Sequence, residues 1–199
     1  MRGFYFITDS SLSRVGNYGD VKSALKADVK VIQYRNKSPD TKLIFKEALL
    51  LRRLCKHAIF LVNDRIDITL AVNADGVHLG EKDLPYAVAR KLLGKNKIIG
   101  LTVHNLKEAR YAEKLGADYL GVSPIFSTRT KRDAGSPCGT ALIKEIKRHL
   151  SIPIVAVGGI NLSNAERVIH AGADCLSAIS AVVTKADVKK EIEKFQKLF

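Results

Sequence analysis

The sequence contains no tryptophan, and aromatic residues make up only 7% of its 199 residues. A non-catalytic protein that binds nucleic acid would interleave aromatic side chains with cations on one face, because bases stack on aromatic rings. The scarcity of aromatic residues therefore argues against such a protein. Cysteine is also scarce, since Cys55, Cys138 and Cys175 are odd in number and far apart. This spacing indicates neither a disulfide framework nor a zinc site. We expect reduced thiols, with Cys55 and Cys175 in packing positions.

Long hydrophobic runs are absent as well. A membrane-spanning helix needs about 20 consecutive apolar residues, and no run approaches that length. The first segment, MRGFYFITDSS, has only a short apolar run before Asp9, which is too short for a signal peptide. We therefore expect a cytoplasmic protein with no membrane partner. Hydrophobic residues at 46% and the absence of low-complexity tracts fit a single domain over residues 1–199.

Acidic residues are few relative to basic ones. The chain has 20 Asp and Glu against 33 Lys and Arg, for a formal net charge of +13. Such an excess favours anionic partners, either nucleic acid or phosphorylated metabolites, and does not choose between them. Many cations, such as Lys42, Lys46 and Lys107, lie in helical patterns where they would serve only to keep the protein soluble.

Short apolar runs of β-forming residues alternate with patterns of helical period along the whole chain. The eight predicted strands are Phe4 to Thr8, Val29 to Arg35, Ile59 to Asn63, Gly76 to Leu79, Ile98 to Val103, Tyr119 to Ile125, Ile152 to Val157 and Cys175 to Ile179. Alternation of this kind predicts parallel strands joined by helical crossovers. Eight such units indicate an α/β fold of the (β/α)8 TIM barrel type. An open doubly wound sheet is the alternative, but no G-x-G-x-x-G follows the first strand.

Polar side chains at the carboxyl ends of the predicted strands mark the candidate site, because barrel enzymes build their sites there. In the second strand Gln33, Arg35 and Lys37 are spaced by two, so all three point into the barrel mouth while Ile32 and Tyr34 face the helices. Two cations and an amide at a barrel mouth favour an anionic ligand. A solvated strand end is the alternative, above all for Lys37.

Two aspartates follow neighbouring strands. Asp64 comes directly after the third strand, and Asp83 lies in the loop after the fourth. Each precedes a helical pattern, so each could be an N-cap that stabilises its helix by about 1 kcal/mol. Mg²⁺ is typically held by one or two carboxylates and by substrate phosphates, so the pair also fits a metal–diphosphate site. Spacing alone leaves both interpretations open.

Further strand ends and one loop add hydrogen-bonding groups. Thr102 in the fifth strand is predicted to face inward, where it could contact a ligand. Gly158 and Gly159 after the seventh strand, with Ile179 and Ser180 after the eighth, occupy the positions where barrels frequently bind phosphate. The loop from Phe126 to Gly139 carries consecutive donors, namely Ser127, Thr128, Arg129, Thr130, Lys131 and Arg132.

Several segments together carry a family likeness. They are FYFITD, QYRNK, VND, ADGVHLG followed by a nearby Asp, GLTVHN, GADYLGVSPIFSTRTK, PIVAVGGI and SAIS. In this order they extend over essentially the whole chain, and the sequence closely resembles the thiamine-phosphate synthase family. The resemblance implies a (β/α)8 transferase of thiamine biosynthesis. Such an enzyme joins hydroxymethylpyrimidine diphosphate to a thiazole phosphate, or to its carboxylate form, and releases pyrophosphate.

The resemblance also implies roles for individual residues and a Mg²⁺ cofactor held by Asp64 and Asp83. The pyrimidine diphosphate would be bound by Gln33, Tyr34, Arg35, Asn36, Lys37, Asn63, Thr102 and Lys131, of which Arg35, Lys37 and Lys131 would be catalytic. The thiazole phosphate would be bound by Thr128, Arg129, Thr130, Gly159, Ile179 and Ser180. Asn36 stands where the family usually has an acidic residue, and Thr102 where it usually has Ser.

Two rival functions remain at this point. A thiazole tautomerase on the same fold would bind thiazole phosphate without a metal or a diphosphate, so it would not need Asp64, Asp83 and Lys131. A basic nucleic-acid-binding protein is the more remote alternative. We expect small phosphorylated substrates as partners and no nucleic acid, and the sequence leaves homo-oligomerisation open.

Overall fold

A computed structural model describes residues 1–130 and 135–199. The strands are β1 (Gly3–Ile7), β2 (Val31–Tyr34), β3 (Ile59–Asn63), β4 (Gly76–Leu79), β5 (Ile98–Val103), β6 (Tyr119–Val122), β7 (Ile154–Val157) and β8 (Cys175–Ser177). The helices are α1 (Gly16–Lys26), α2 (Thr41–Leu54), α3 (Ile66–Ala71), α4 (Tyr86–Leu93), α5 (Leu106–Leu115), α6 (Gly139–His149), α7 (Ala165–His170), α8 (Ile179–Val183) and α9 (Val188–Gln196).

The strands form a closed parallel barrel in chain order. Each strand pairs with the next, and β8 returns to β1 through Gly3 opposite Cys175 and Phe4 opposite Leu176. Closure confirms the predicted (β/α)8 barrel and rules out the open doubly wound sheet. All carboxyl ends of the strands therefore surround one mouth, which is where the candidate residues were expected to meet.

Alternation along the strands separates two layers of core. Tyr5 and Ile7 of β1 point into the barrel and pack in a small inner cluster with residues such as Leu61 and Tyr119. Phe4 and Phe6 point outward into the larger cluster between strands and helices. The side-chain period of two produces this separation, and strands buried on both faces are apolar throughout. Cys55 and Cys175 are buried, as expected for packing positions.

Helix ends show how local sequence sets the boundaries of the elements. Asp40 begins α2 by accepting a hydrogen bond from the Leu43 backbone N–H, and Asn105 begins α5 in the same way through Glu108. Gly116 ends α5 in the left-handed conformation, with φ of 88°. Within the described part of the chain, no helix combines the length and apolarity needed to span a bilayer.

Candidate active site

A cavity opens at the carboxyl ends of the strands. The residues that line it include Arg35, Lys37, Asp64, Asp83 and Thr102, which come from four different strands or the loops that follow them. Gln33, Asn63, Thr128, Thr130, Gly159, Ile179 and Ser180 line the same cavity. The structure thus brings together most of the side chains that the sequence singled out.

Arg35 at the end of β2 is held from two sides. Its Nη1 lies 3.2 Å from Oδ2 of Asp9, and the side chains are 18% and 4% exposed, respectively. Its backbone N–H donates to Thr8 Oγ1 over 2.9 Å, and Thr8 Oγ1 donates to its carbonyl oxygen over 3.2 Å. Asp9 is fixed in turn because its Oδ1 accepts from Ser11 and Leu12. Arg35 is therefore a pre-positioned cation, since its neighbours are buried and hydrogen-bonded.

Asp64 and Asp83 form an acidic pair beside Lys37. Lys37 Nζ donates to Asp64 Oδ2, and Asp83 Oδ2 accepts from the Gly80 backbone N–H over 2.6 Å. Burial raises the pKa of Asp83 above its ordinary value, and the neighbouring Asp64 carboxylate raises it further, while the Gly80 hydrogen bond opposes both effects. Two carboxylates so close together favour a shared counter-charge.

Neither aspartate caps a helix. The N-cap positions of α3 and α4 are Arg65 and Pro85, and neither helix has a side-chain cap hydrogen bond. Asp64 adopts φ of 63°, a left-handed conformation that Asp tolerates better than most residues. The N-cap interpretation of this pair is therefore wrong, and both aspartates line the cavity instead.

A chain of hydrogen bonds crosses the inner end of the cavity, here called the floor and made of Gln33, Tyr5, Tyr119, His78 and Thr102. Gln33 Nε2 donates to the Tyr5 hydroxyl over 2.8 Å, and the two tyrosine hydroxyl oxygens are 2.8 Å apart. His78 Nδ1 lies 2.9 Å from the Tyr119 hydroxyl, and His78 Nε2 lies 2.9 Å from Thr102 Oγ1. Gln33 is only 3% exposed, so its side chain belongs to this floor and lies deeper than the cations two and four residues later.

The other side of the cavity is built from the loops after β6 and β7. Gly159 adopts φ of 64°, and a Cβ there would lie 2.5 Å from the Ser127 carbonyl oxygen and 2.8 Å from Phe126 Cβ. The glycine is needed because the two loops touch at this point. Thr128 and Thr130 line the cavity beside this contact, and the Thr130 N–H donates to Thr128 Oγ1 over 3.2 Å.

The family model described as thiamine monophosphate synthase matches residues 4–182. This chain belongs to that family. It is 54% identical over 193 residues to thiamine-phosphate synthase of Methanosarcina barkeri, covering 96% of this chain and 88% of that protein. It is 50% identical over 187 residues to the Chloroflexus aurantiacus protein of the same name, covering 92% and 86%. The solved thiamine phosphate pyrophosphorylase of Pyrococcus furiosus superposes with a TM-score of 0.91 at 40% identity, covering 98% and 94%.

Three residues that the family resemblance assigned to substrate do not face the cavity. Tyr34 is buried against Phe60 and donates to Glu47 Oε2 over 2.6 Å, and Asn36 Nδ2 donates to the same carboxylate over 2.9 Å. These two expectations need correction, because strand alternation turns both side chains toward α2. Arg129 is exposed and is not among the residues that line the cavity. Lys131 lies outside the described residues.

Some residues of this thiamine monophosphate synthase family site were missed by sequence reasoning. Asp9 holds Arg35, and Tyr5, His78 and Tyr119 join Gln33 to Thr102. Ser177 lines the cavity with a buried Oγ for which the described residues supply no hydrogen-bond partner. The signals available in the sequence were an aspartate shortly after the first strand and polar residues at inward-facing positions of apolar strands.

Proposed function

We propose that this chain is a thiamine-phosphate synthase that joins hydroxymethylpyrimidine diphosphate to thiazole phosphate and releases pyrophosphate. The observation that supports this most is the meeting of two sets of groups in one cavity. Arg35, Lys37 and the pair of Asp64 and Asp83 line one side, while the threonines and Gly159 of the β6 and β7 loops line the other. A reaction between two phosphorylated substrates needs two such anion-binding regions facing each other.

Mg²⁺ is the cofactor that fits the acidic pair. The described residues contain no group of three or more His, Cys, Asp or Glu side chains placed to hold a metal ion. Mg²⁺ commonly takes only one or two carboxylates from the protein and fills its other positions with water and substrate phosphate oxygens. Asp64 and Asp83 would hold it, and the ion would neutralise charge that develops on the departing diphosphate.

The residues of the chain contribute mainly by position and charge. The carbon–oxygen bond to the diphosphate breaks and a bond from the same carbon to the thiazole nitrogen forms, with no proton transferred in either change. A general base is therefore unnecessary. Arg35, held by Asp9, would stabilise the leaving oxygens, and Lys37 could exchange its contact with Asp64 for one with the diphosphate. We propose the same role for Lys131.

The second substrate would lie on the opposite side of the cavity. Thr128 and Thr130 offer hydroxyl groups. Gly159 lies in the loop after β7 and Ser180 in the first turn of α8, where backbone N–H groups could meet a phosphate. Alignment of the thiazole nitrogen with the reacting carbon turns a bimolecular step into an intramolecular one. We propose that this alignment, together with charge stabilisation, supplies most of the rate acceleration.

The decisive assay mixes the purified protein with both substrates and Mg²⁺ and follows pyrophosphate and thiamine phosphate. We expect both products in equal amounts, and no product in the presence of metal would refute the proposal. Interconversion of thiazole carboxylate phosphate tautomers without condensation would instead indicate the tautomerase. We expect Asp64→Asn and Lys131→Ala each to lower turnover at least tenfold.

The controls for these two variants are Asp28→Asn and Lys95→Ala. Asp28 is 82% exposed in its side chain and shares the left-handed backbone of Asp64, with φ of 59°, so the same substitution is tested at matched geometry. Lys95 is exposed and lies far along the chain from the β6 loop. Wild-type rates in the Asp64 and Lys131 variants would mean that both side chains are dispensable.

We further propose that the protein acts in the cytoplasm, because phosphorylated intermediates do not cross membranes freely, and that it binds no nucleic acid. Cell fractionation and a salt-dependent binding titration with DNA and RNA test these two points. The sequence leaves homo-oligomerisation open, and analytical ultracentrifugation would measure the oligomeric state.

A further inference from the structure

The outer surface of α4 carries a row of exposed apolar side chains, here called the α4 stripe and made of Leu84, Val88 and Leu92. They are 48%, 42% and 52% exposed, respectively. Residues four apart lie on the same side of a helix, so Val88 and Leu92 form a row that Leu84 extends from just before the helix. Ala89 and Leu93 are buried and hold α4 against the barrel. The helix is therefore apolar on part of its solvent side as well as on its packing side.

The α4 stripe lies on the side of the helix that is turned away from α5. The side turned toward α5 is occupied, because the Tyr86 hydroxyl donates to the Gly116 carbonyl oxygen over 2.6 Å and Arg90 Nη2 lies 2.9 Å from Asp118 Oδ2. Gly116 and Asp118 both lie in the segment between α5 and β6. Successive residues of a helix are turned by about 100°, so the stripe points away from these contacts and toward the α3 side.

α3 supplies the apolar surface next to the α4 stripe. It packs beside α4 and exposes Leu70 and Ala71 to solvent. Single exposed apolar side chains are ordinary, but a row that continues onto a second helix favours a protein partner. A stable interface usually buries about 800 Å² on each partner, which is more than three side chains supply. The contact surface must therefore include α3 as well as the stripe.

The residues around the α4 stripe are arranged symmetrically about Val88. Leu84 and Leu92 lie four residues before and after it, and Glu81 and Lys95 lie seven residues before and after it. Both charged residues are exposed. When two identical helices pack antiparallel about a two-fold axis through Val88, each residue meets its counterpart from the other side of the axis. Leu84 would contact Leu92 of the partner subunit, and Glu81 would pair with Lys95 of the partner subunit.

We propose that the surface of α3 and α4 binds a second copy of this chain, in a two-fold dimer with two ion pairs between Glu81 and Lys95. The net charge of +13 on each copy opposes association, so a uniformly basic face would repel itself. Charges more than about 8 Å apart are largely screened at physiological salt, whereas the two ion pairs act at close range. Each barrel holds its own cavity, so the dimer does not depend on the proposed reaction.

Sedimentation velocity over about 1 to 200 µM protein tests the dimer, since a small interface gives a dissociation constant in the micromolar range. Val88→Glu would place like charges on the two-fold axis, so we expect it to weaken dimerisation at least about tenfold. Leu43→Glu on α2 is the matched control, because Leu43 is 49% exposed. A monomer at every concentration would overturn the inference and leave the stripe to a different partner. A dimer that both variants weaken equally would overturn it too.

The two ion pairs are tested by exchanging their charges. Lys95→Glu and Glu81→Lys each turn both pairs of the homodimer into repulsive contacts, so each variant alone should dimerise at least about tenfold more weakly than wild type. In an equimolar mixture the substituted positions meet each other and the unsubstituted positions meet each other, so both pairs are restored. We expect the mixture to dimerise about as tightly as wild type.

Lys46→Glu on the exposed side of α2 is the control for the charge exchange and should dimerise like wild type. A mixture that associates no better than its separate components would overturn the two-fold pairing of α4. Association is the readout because Glu81 also lines the cavity, where its substitution could change turnover. Turnover measured far below the dissociation constant reports on the proposed function alone, so failure of the one proposal is distinguishable from failure of the other.

Discussion

Asp9 offers the sharpest test of how the site is pre-positioned. Asp9→Asn keeps an oxygen that can accept from Ser11 and Leu12, so the turn after β1 should survive. The substitution removes only the negative charge, whose Oδ2 lies 3.2 Å from Arg35 Nη1. The perturbation therefore isolates the charge that holds the arginine.

The size of the effect follows from distance and burial. At 3.2 Å and an effective dielectric constant of about 20, the direct attraction between the charges is about 5 kcal/mol. Desolvation of the nearly buried Asp9 offsets much of this, and a hydrogen bond between charged groups has a net value of about 1.5–3 kcal/mol. Each 1.4 kcal/mol of lost transition-state stabilisation lowers the rate about tenfold. We expect kcat/KM for the pyrimidine diphosphate to fall about 10- to 100-fold.

The assay is a double-mutant cycle with Asp9→Asn, Arg35→Gln and the pair, and Asp28→Asn serves as the exposed control. The coupling between Asp9 and Arg35 should be at least about 1 kcal/mol in transition-state stabilisation, with KM for thiazole phosphate within twofold of wild type. Additive effects, or a lower melting temperature with unchanged kinetics, would show that Asp9 supports the fold and does not position Arg35.

Three further predictions concern separate parts of the molecule. Gly159→Ala should raise KM for thiazole phosphate at least tenfold, because the new Cβ would meet the Ser127 carbonyl oxygen at 2.5 Å; steady-state kinetics with unchanged KM would contradict this. Asp83→Asn should weaken Mg²⁺ activation at least tenfold in a metal titration of the rate, and a superimposable titration would argue against its role as a ligand. Burial raises the pKa of Asp20, so its contribution favours the folded state below the unfolded pKa and is lost as pH rises through the folded value. In urea unfolding measured across pH, the free energy of unfolding of Asp20→Asn should not show the decline that Asp20 causes in wild type. Parallel pH profiles for variant and wild type would refute this prediction.

Apolar runs and their spacing predicted the barrel well but overextended several strands. The bounds of β3, β4 and β5 were predicted to the residue, whereas the sixth strand was predicted to Ile125 and ends at Val122. Pro124 explains the difference, since proline has no N–H to donate to a neighbouring strand. Pro153 likewise delays the seventh strand, which was predicted from Ile152 and begins at Ile154.

The sequence predicted the rim of the site more fully than its floor. The alternation of side chains along β2 correctly placed Arg35 and Lys37 in the mouth and Tyr34 on the outer side. The family resemblance had instead assigned Tyr34 to the substrate. The floor depends on contacts between strands far apart in the chain. Tyr5 and Tyr119 are separated by 114 residues, and only barrel closure brings their hydroxyls to 2.8 Å.

Depth in the barrel accounts for the division between charged rim and neutral floor. Gln33, Arg35 and Lys37 follow one another on the inward face of β2 and its extension, and their exposure increases from the buried amide to the exposed ammonium. An ionised group two residues deeper would lose its water without a partner, which favours uncharged side chains such as Gln33 and the two tyrosines at the floor. Tyr5 and Tyr119 meet this requirement because burial raises their pKa. We therefore expect a substrate with an uncharged ring and a diphosphate to enter ring first, with its negative oxygens beside Arg35 and Lys37.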